Sequence, residues 1–336
     1  MIMKLKLRLC IFNLIICTSL QAQSVFEDVE NTVQDLVFIS EGFITPGAKA
    51  SSFQSSAAWV DNARSLGLFE TKISLHFNTL FTPNSKRSFE VSNSDFNNFV
   101  IRDGSSSAII PSALGGETST FFDFTIGDEP NELQAFEGVQ QSVLFHPFLQ
   151  TSIGLWKKTE LTLRYSPRIP IEDAEYNIYG IGVKHNLNQY SSKEENPESL
   201  QYAIAASYAR FDLRIKLDAF TIDNPDDAET TPLLEVDGMD IASNSMLFQF
   251  ITSKRHKKFE FMGNLGITVS NYDFSLNGQE SQFLSILNQL VEKIDTQKTA
   301  IRGEIGVSYH FSKLSLSHIL TLGRFTNSNI GILYRL

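Results

Sequence analysis

Cysteine is almost missing from this chain. Two occur in 336 residues, Cys10 and Cys17, both within the first 17 positions. Basic charge is short as well: 28 Lys+Arg face 38 Asp+Glu, a net charge of -10. That balance excludes the basic stripe a nucleic-acid partner needs to meet its phosphates. Mean hydropathy is -0.09, and the chain lacks the repeated runs of about 20 apolar residues that a polytopic helical membrane protein requires. Chemistry-bearing motifs are absent too. There is no G-x-S-x-G, no H-E-x-x-H, no phosphate loop and no dinucleotide-binding glycine pattern. The histidines at 76, 146, 185, 256, 310 and 318 show no ligand spacing. His310 and Ser308 share one strand face, but an i,i+2 pair of that kind is common by chance. No enzymatic activity, cofactor or metal site is expected.

What the chain does have is phenylalanine, 27 residues against 9 Tyr and 2 Trp, within an apolar content of 42%. Such a composition does not read as disorder. Residues 1–22 read as a secretory signal. Lys4, Lys6 and Arg8 form the basic region, Leu9 to Leu20 the short apolar region, and Leu20-Gln21-Ala22 a cleavage site. Ile16, bulky before Cys17, argues against a lipoprotein signal. Removal of this segment takes away both cysteines and three positive charges, leaving a net charge of -13. No disulfide framework or thiol site is then expected in the exported chain.

After the signal, Ser24-Val25-Phe26-Glu27 fits a capping box. Phe26, Val29, Val33, Leu36 and Val37 then recur at helical spacing. A break is expected at Pro46-Gly47. From residue 70 the pattern becomes strict alternation in segments of about ten residues. Twelve such segments are legible: 73–81, 122–126, 139–145, 153–155, 161–165, 179–183, 202–219, 246–250, 259–269, 301–311, 314–322 and 330–336. Within 202–219 the apolar parity switches from Tyr202, Ile204, Ala206 and Tyr208 to Phe211, Leu213, Ile215 and Leu217, which reads as a bulge in one long strand. The links at 157–158, 253–257 and 312–313 are tight, whereas those at 83–118, 223–241 and 276–298 are long. The fold expected is all-β: a closed antiparallel transmembrane β-barrel of about twelve strands (10–14). Residues 70–336 form the barrel and 23–69 a short helical or irregular plug. The apolar-alternating terminal strand ending in Tyr334-Arg335-Leu336 is the expected signal for the barrel-assembly machinery.

Several polar residues lie on the parity opposite to the apolar face. Arg164, Lys184, Arg302 and Glu304 are therefore expected to face the lumen, because a charge facing lipid at mid-depth costs about 2–4 kcal/mol. They would either lock the barrel by ion pairs or line a substrate path. His318 breaks the rule by sitting on the apolar parity. A helical stripe containing Phe283, Leu287, Leu290 and Val291, capped by Ser281, lies in a long link. It is expected to cover the rim or to form an apolar lid. Asp223, Asp226, Asp227, Glu229, Glu235, Asp237 and Asp240 read as a solvated acidic loop without the calcium-loop pattern.

Trp59-Val60-Asp61-Asn62-Ala63, Gly182-Val183-Lys184-His185 and Asn329-Ile330-Gly331 resemble an uncharacterised family of outer-membrane barrels from Bacteroidetes, over residues 24 to the end. More distantly, the layout is similar to the long-chain fatty-acid outer-membrane transporters. Those carry Asn-Pro-Ala where this chain has Asn62-Ala63, and have fourteen strands. The resemblances imply a barrel with an inner N-terminal segment. The chain is expected to be a monomer in contact with lipid, in the outer membrane of a Gram-negative bacterium. Three functions stay open: uptake of small hydrophobic substrates, a structural or adhesion barrel with a plugged pore, and a soluble periplasmic β-protein.

Overall fold

The computed structural model describes residues 2–127, 129–171, 174–190, 198–222, 232, 234–292 and 297–336. Side chains are described from residue 27 onward, except at 169, 171, 218, 220 and 222. The expected signal therefore falls where side chains lie outside the described set, and Asp223, Asp226, Asp227 and Glu229 of the acidic loop lie outside the described residues.

Among the described residues a long helix, α1 (Ile2–Ser55), is followed by an irregular segment and fifteen strands. The strands are β1 (Thr71–Phe81), β2 (Ser88–Ser92), β3 (Val100–Ile101), β4 (Ser107–Pro111), β5 (Phe121–Ile126), β6 (Glu129–Gln134), β7 (Val143–Leu155), β8 (Thr159–Ile171), β9 (Ala174–Asn186), β10 (Gln201–Ile222), β11 (Leu234–His256), β12 (Phe259–Asn277), β13 (Lys298–Phe311), β14 (Leu314–Leu322) and β15 (Thr326–Arg335). Helix α2 (Gln282–Val291) precedes β13. Ten strands, β1 and β7 to β15, close an antiparallel barrel in which β15 returns to pair with β1.

The barrel has ten strands rather than twelve for two reasons. Segment 153–155 and residues 143–145 of segment 139–145 belong to one strand, β7, which runs through Pro147. The β7–β8 ladder starts only at Leu149, so Pro147 lies beyond it, an edge position that a missing N–H tolerates. Segment 122–126 is β5, which pairs with β3 and β6 in a separate three-stranded sheet. That sheet and the β2–β4 pair form a small head inserted between β1 and β7. Nor does the helix break where expected. It passes Ser24 and continues through Pro46, and the nearby Phe43 carbonyl accepts from Ala113 N–H of the head at 2.9 Å.

The barrel changes character along its axis. On β12, Phe259, Phe261, Leu265 and Ile267 point outward and are exposed, while Glu260, Asn264, Thr268 and Ser270 are buried inside. Past Ser270 the order inverts: Asn271, Asp273 and Ser275 face out, and Tyr272, Phe274 and Leu276 are buried within. The same inversion occurs at one level in the neighbouring strands, because Tyr179 pairs with Arg210, Arg210 with Asn244 and Asn244 with Asn271. The parity switch on β10 is thus no bulge. Odd residues point inward from Ala203 to Ile215, and the ladder is continuous there; its register shift lies at Lys216/Phe220. The switch marks where the outer face passes from an apolar to a polar surrounding. Below it the wall is apolar outside and polar inside, the reverse of a water-soluble sheet.

The apolar band from Phe259 to Val269 is 11 residues long, about 33 Å along the strand. At a tilt of 35–45° that gives about 25 Å, the height of a spanning band. Tyr165 and Tyr179 stand exposed at its upper edge. Aromatic pairs mark the lower edge, with Trp156 against Phe69 at 5.4 Å and Tyr309 against Phe311 at 4.3 Å between ring centroids. Above the band, Arg210–Asp212 and Arg214–Asp240 ion pairs cover the outer wall at 2.8 and 2.9 Å.

Inside the upper wall lies one apolar core. Ile215, Val236, Ile241 and Phe274 pack with Val33, Leu36, Ile39 and Phe43 of α1 and with Phe99, Phe122 and Phe124 of the head. Asp35 fastens the helix to the head, its carboxylate accepting the N–H groups of Asn97, Asn98 and Phe99 at 2.7–3.1 Å. His318 does face outward, and its Nε2 meets Ser328 Oγ at 2.9 Å, so the polar pair is satisfied across strands. Among the described residues no helix is long and apolar enough to cross a membrane.

Candidate functional site

Below the head the N-terminal segment enters the barrel and passes down its length. Residues 50–63 are all buried, none more than 8% exposed. Small side chains make this geometrically feasible: Ala50, Ser51, Ser52, Ser55, Ser56, Ala57 and Ala58 let the chain approach the wall closely. Ser52 Oγ lies 2.8 Å from Ser245 Oγ of β11, and Gln54 Nε2 donates to the Leu144 carbonyl of β7 at 3.0 Å.

The helix ends at Ser55, leaving carbonyls without intrahelical partners. Arg164 supplies the missing donors. Its Nη1 donates to Ser55 and Ala57 carbonyls at 2.8 and 2.9 Å, and its Nη2 to the Ala58 carbonyl at 2.9 Å. The guanidinium is sandwiched between the rings of Trp59 and Phe148, 4.0 Å from each centroid. Across the lumen Glu304 accepts Ala58 N–H at 3.0 Å, Asn264 Nδ2 at 2.7 Å and Thr321 Oγ1 at 3.0 Å. Arg302 donates to Ser56 Oγ, lies 3.5 Å from Glu304 and covers the Phe53 ring at 4.6 Å. Lower down, Lys184 bridges Glu160 at 3.1 Å and the Asn62 carbonyl at 3.1 Å. The structure thus places Arg164, Lys184, Arg302 and Glu304 on the inner face, each touching the plug. Only Arg302 and Glu304 meet one another.

Phe283, Leu287, Leu290 and Val291 lie on α2, with Ser281 accepting Leu284 N–H at 3.1 Å as its cap. Leu287 and Val291 are buried, and all four join the core shared with α1 and β11–β12. The stripe is therefore turned into the head's packing, and the mouth above the lumen is filled by α1. Glu235, Asp237 and Asp240 of the expected acidic loop belong to β11. Among the described residues no group of acidic, His or Cys side chains could hold a metal.

The model of a family of unknown function, DUF6588, matches residues 3–336. The chain belongs to that family. No curated protein matches it. Among solved structures it is similar to the β domain of the Bordetella autotransporter BrkA, at 8% identity and a TM-score of 0.36, covering 79% of this chain and 99% of that one. It is also similar to the translocator domain of the autotransporter NalP from Neisseria meningitidis, at 8% identity and a TM-score of 0.33, covering 80% and 88%. The Ralstonia pickettii toluene transporter TbuX matches at 6% identity and a TM-score of 0.30, covering 80% and 90%.

Within this family member the plug is also held by residues that alternation alone does not single out. Lys72 of β1 meets Asp61 at 2.5 Å. Glu260 accepts Arg64 Nε at 3.0 Å and Ser253 Oγ at 2.9 Å, with His310 Nε2 at 3.1 Å. Glu160 accepts Leu66 N–H at 2.7 Å. Their inward parity was readable, but their partners lie up to 196 positions away. Two glycine sites fit the plug by bulk. A Cβ on Gly182 would come within 3.1 Å of the Trp59 ring. One on Gly154 would stand 1.9 Å from the Gly67 carbonyl, where the plug leaves the barrel.

Proposed function

We propose that this protein is an outer-membrane barrel closed by its own N-terminal segment, and that it acts as an anchor presenting the head rather than as an open channel. The observation that carries the reading is the unbroken burial of residues 50–63 between walls that bond to them from β7, β8, β9, β11 and β13. A ten-stranded wall encloses too little space for side chains, a peptide segment and a passing solute together. The outward apolar band, flanked by aromatics, supports placement in a lipid bilayer, with the long-strand end and its head outside the cell. The terminal strand, which closes the barrel against β1, serves as the signal for the assembly machinery. The protein works as a monomer, without a cofactor and without catalysis.

Planar-bilayer reconstitution tests this. The full mature chain is expected to be silent, and a chain lacking residues 23–66 to conduct if its barrel closes. Steady conductance from the full mature chain would refute the anchor reading. Recovery of the chain wholly in the soluble fraction, without heat-dependent gel mobility, would refute the membrane placement.

A further inference from the structure

At the top of the lumen, between α1 and the inner faces of β12 and β13, lies a narrow crevice. Lys49, Lys298, Arg302 and Arg324 line it, together with the hydroxyls of Thr268 and Ser270. Among the described residues no carboxylate lines it, in a chain whose net charge is -10. Arg324, Lys298 and Lys86 repel the Lys49 ammonium, and Glu41 attracts it. Arg302 and Thr268 are more than nine-tenths buried, yet Arg302 Nε and Thr268 Oγ1 have no hydrogen-bond partner among the described residues. A buried donor left unpaired is costly, and like charges gathered beside it add to that cost. Both defects occur on residues of one crevice, and one kind of ligand removes both.

We propose that this crevice binds a phosphate-type oxyanion. Its several acceptor oxygens can take Arg302 Nε and the Thr268 hydroxyl while its charge meets Lys49 and Arg324. A halide offers charge but cannot place separate acceptors on donors set apart in this way. The crevice opens beside Arg324, an exposed residue in the short turn between β14 and β15. There the wall is low, because these strands end far below the tips of β10 to β12. The oxyanion can therefore come from free phosphate or from a lipid headgroup at the bilayer surface. The site is independent of whether the lumen conducts.

The test uses the full mature chain in neutral detergent, with inorganic phosphate as the probe and chloride at equal ionic strength as the control. Saturable binding followed by phosphorus NMR or calorimetry is expected, weakened about tenfold or more by Lys49→Met or Arg324→Gln. Both variants are expected to keep heat-dependent mobility, since neither side chain makes a hydrogen bond or close ion pair among the described residues. In a second arm the chain is placed in nanodiscs of phosphatidylglycerol or of an uncharged glycolipid. Preferential retention of phosphatidylglycerol, lost in both variants, with no response to inorganic phosphate, would support the same chemistry with lipid as its source. Absence of both responses, or responses unchanged in both variants, would overturn the proposal.

Discussion

Arg164 does at one position what several residues do elsewhere in the lumen. It faces no carboxylate within hydrogen-bond reach; three plug carbonyls, Gln150 Oε1 and two aromatic faces surround its charge. Arg164→Met would keep the bulk but leave those carbonyls buried without donors, a cost of about 2–4 kcal/mol. The loss is expected to appear as release of the plug. The barrel ladder is untouched, so heat-dependent mobility should persist while cleavage within residues 50–66 by added protease rises. Arg164→Lys should be intermediate, because one ammonium cannot serve three carbonyls set in a fork. Equal protease resistance in all three proteins would show that the plug is held by packing alone. The inward parity of Arg164 was legible from Leu163 and Tyr165 beside it. Its partners were not, because they are backbone atoms of a segment more than 100 positions away.

At the scale of the strand, the inversion level makes a sharper claim than alternation does. Leu265 and Asn271 both point outward on β12, six residues apart and on either side of the boundary. Leu265→Arg is expected to destabilise the barrel by about 2–4 kcal/mol, because its charge would face hydrocarbon. Asn271→Arg should be nearly neutral, because its charge would face water. Urea or guanidinium unfolding in lipid vesicles measures both, and equal costs would remove the boundary from where the inversion puts it. Much of this element was readable: most barrel strands, three tight turns and the polar inner face follow from period-two alternation. The switch at Tyr208 to Phe211 was readable too but carries two meanings. A bulge and an exchange of surroundings both shift the apolar residues by one. Only pairing with β9 and β11 separates them, and pairing is not local. Segment 122–126 fails for a related reason: a strand with one apolar face alternates alike whether that face meets the core of the head or the surroundings of the barrel.

For the whole molecule, the direction of the plug matters as much as its fit. Residues 27–48 lie at the long-strand end and Phe69 at the tight-turn end, so the segment enters from the side of the head. If that side is outside the cell, an epitope tag after residue 22 should bind antibody on intact cells. Binding only after permeabilisation would reverse the assigned orientation. The remaining alternative, uptake of a small hydrophobic substrate, requires the plug to move, and a crosslink can decide it. Ser52 of α1 and Ser245 of β11 hold their oxygens 2.8 Å apart, close to where the sulfurs of a disulfide, about 2.05 Å apart, would sit. Both native cysteines lie within the expected signal, so Ser52→Cys with Ser245→Cys would introduce the one thiol pair of the mature chain. Oxidation should join plug to wall without changing the fold. For an anchor, cell-surface display of the head and membrane conductance should be the same before and after. A labelled fatty acid or aromatic solute whose uptake falls on oxidation and returns on reduction would instead make the plug a gate. The lumen contacts would then be those of its closed state.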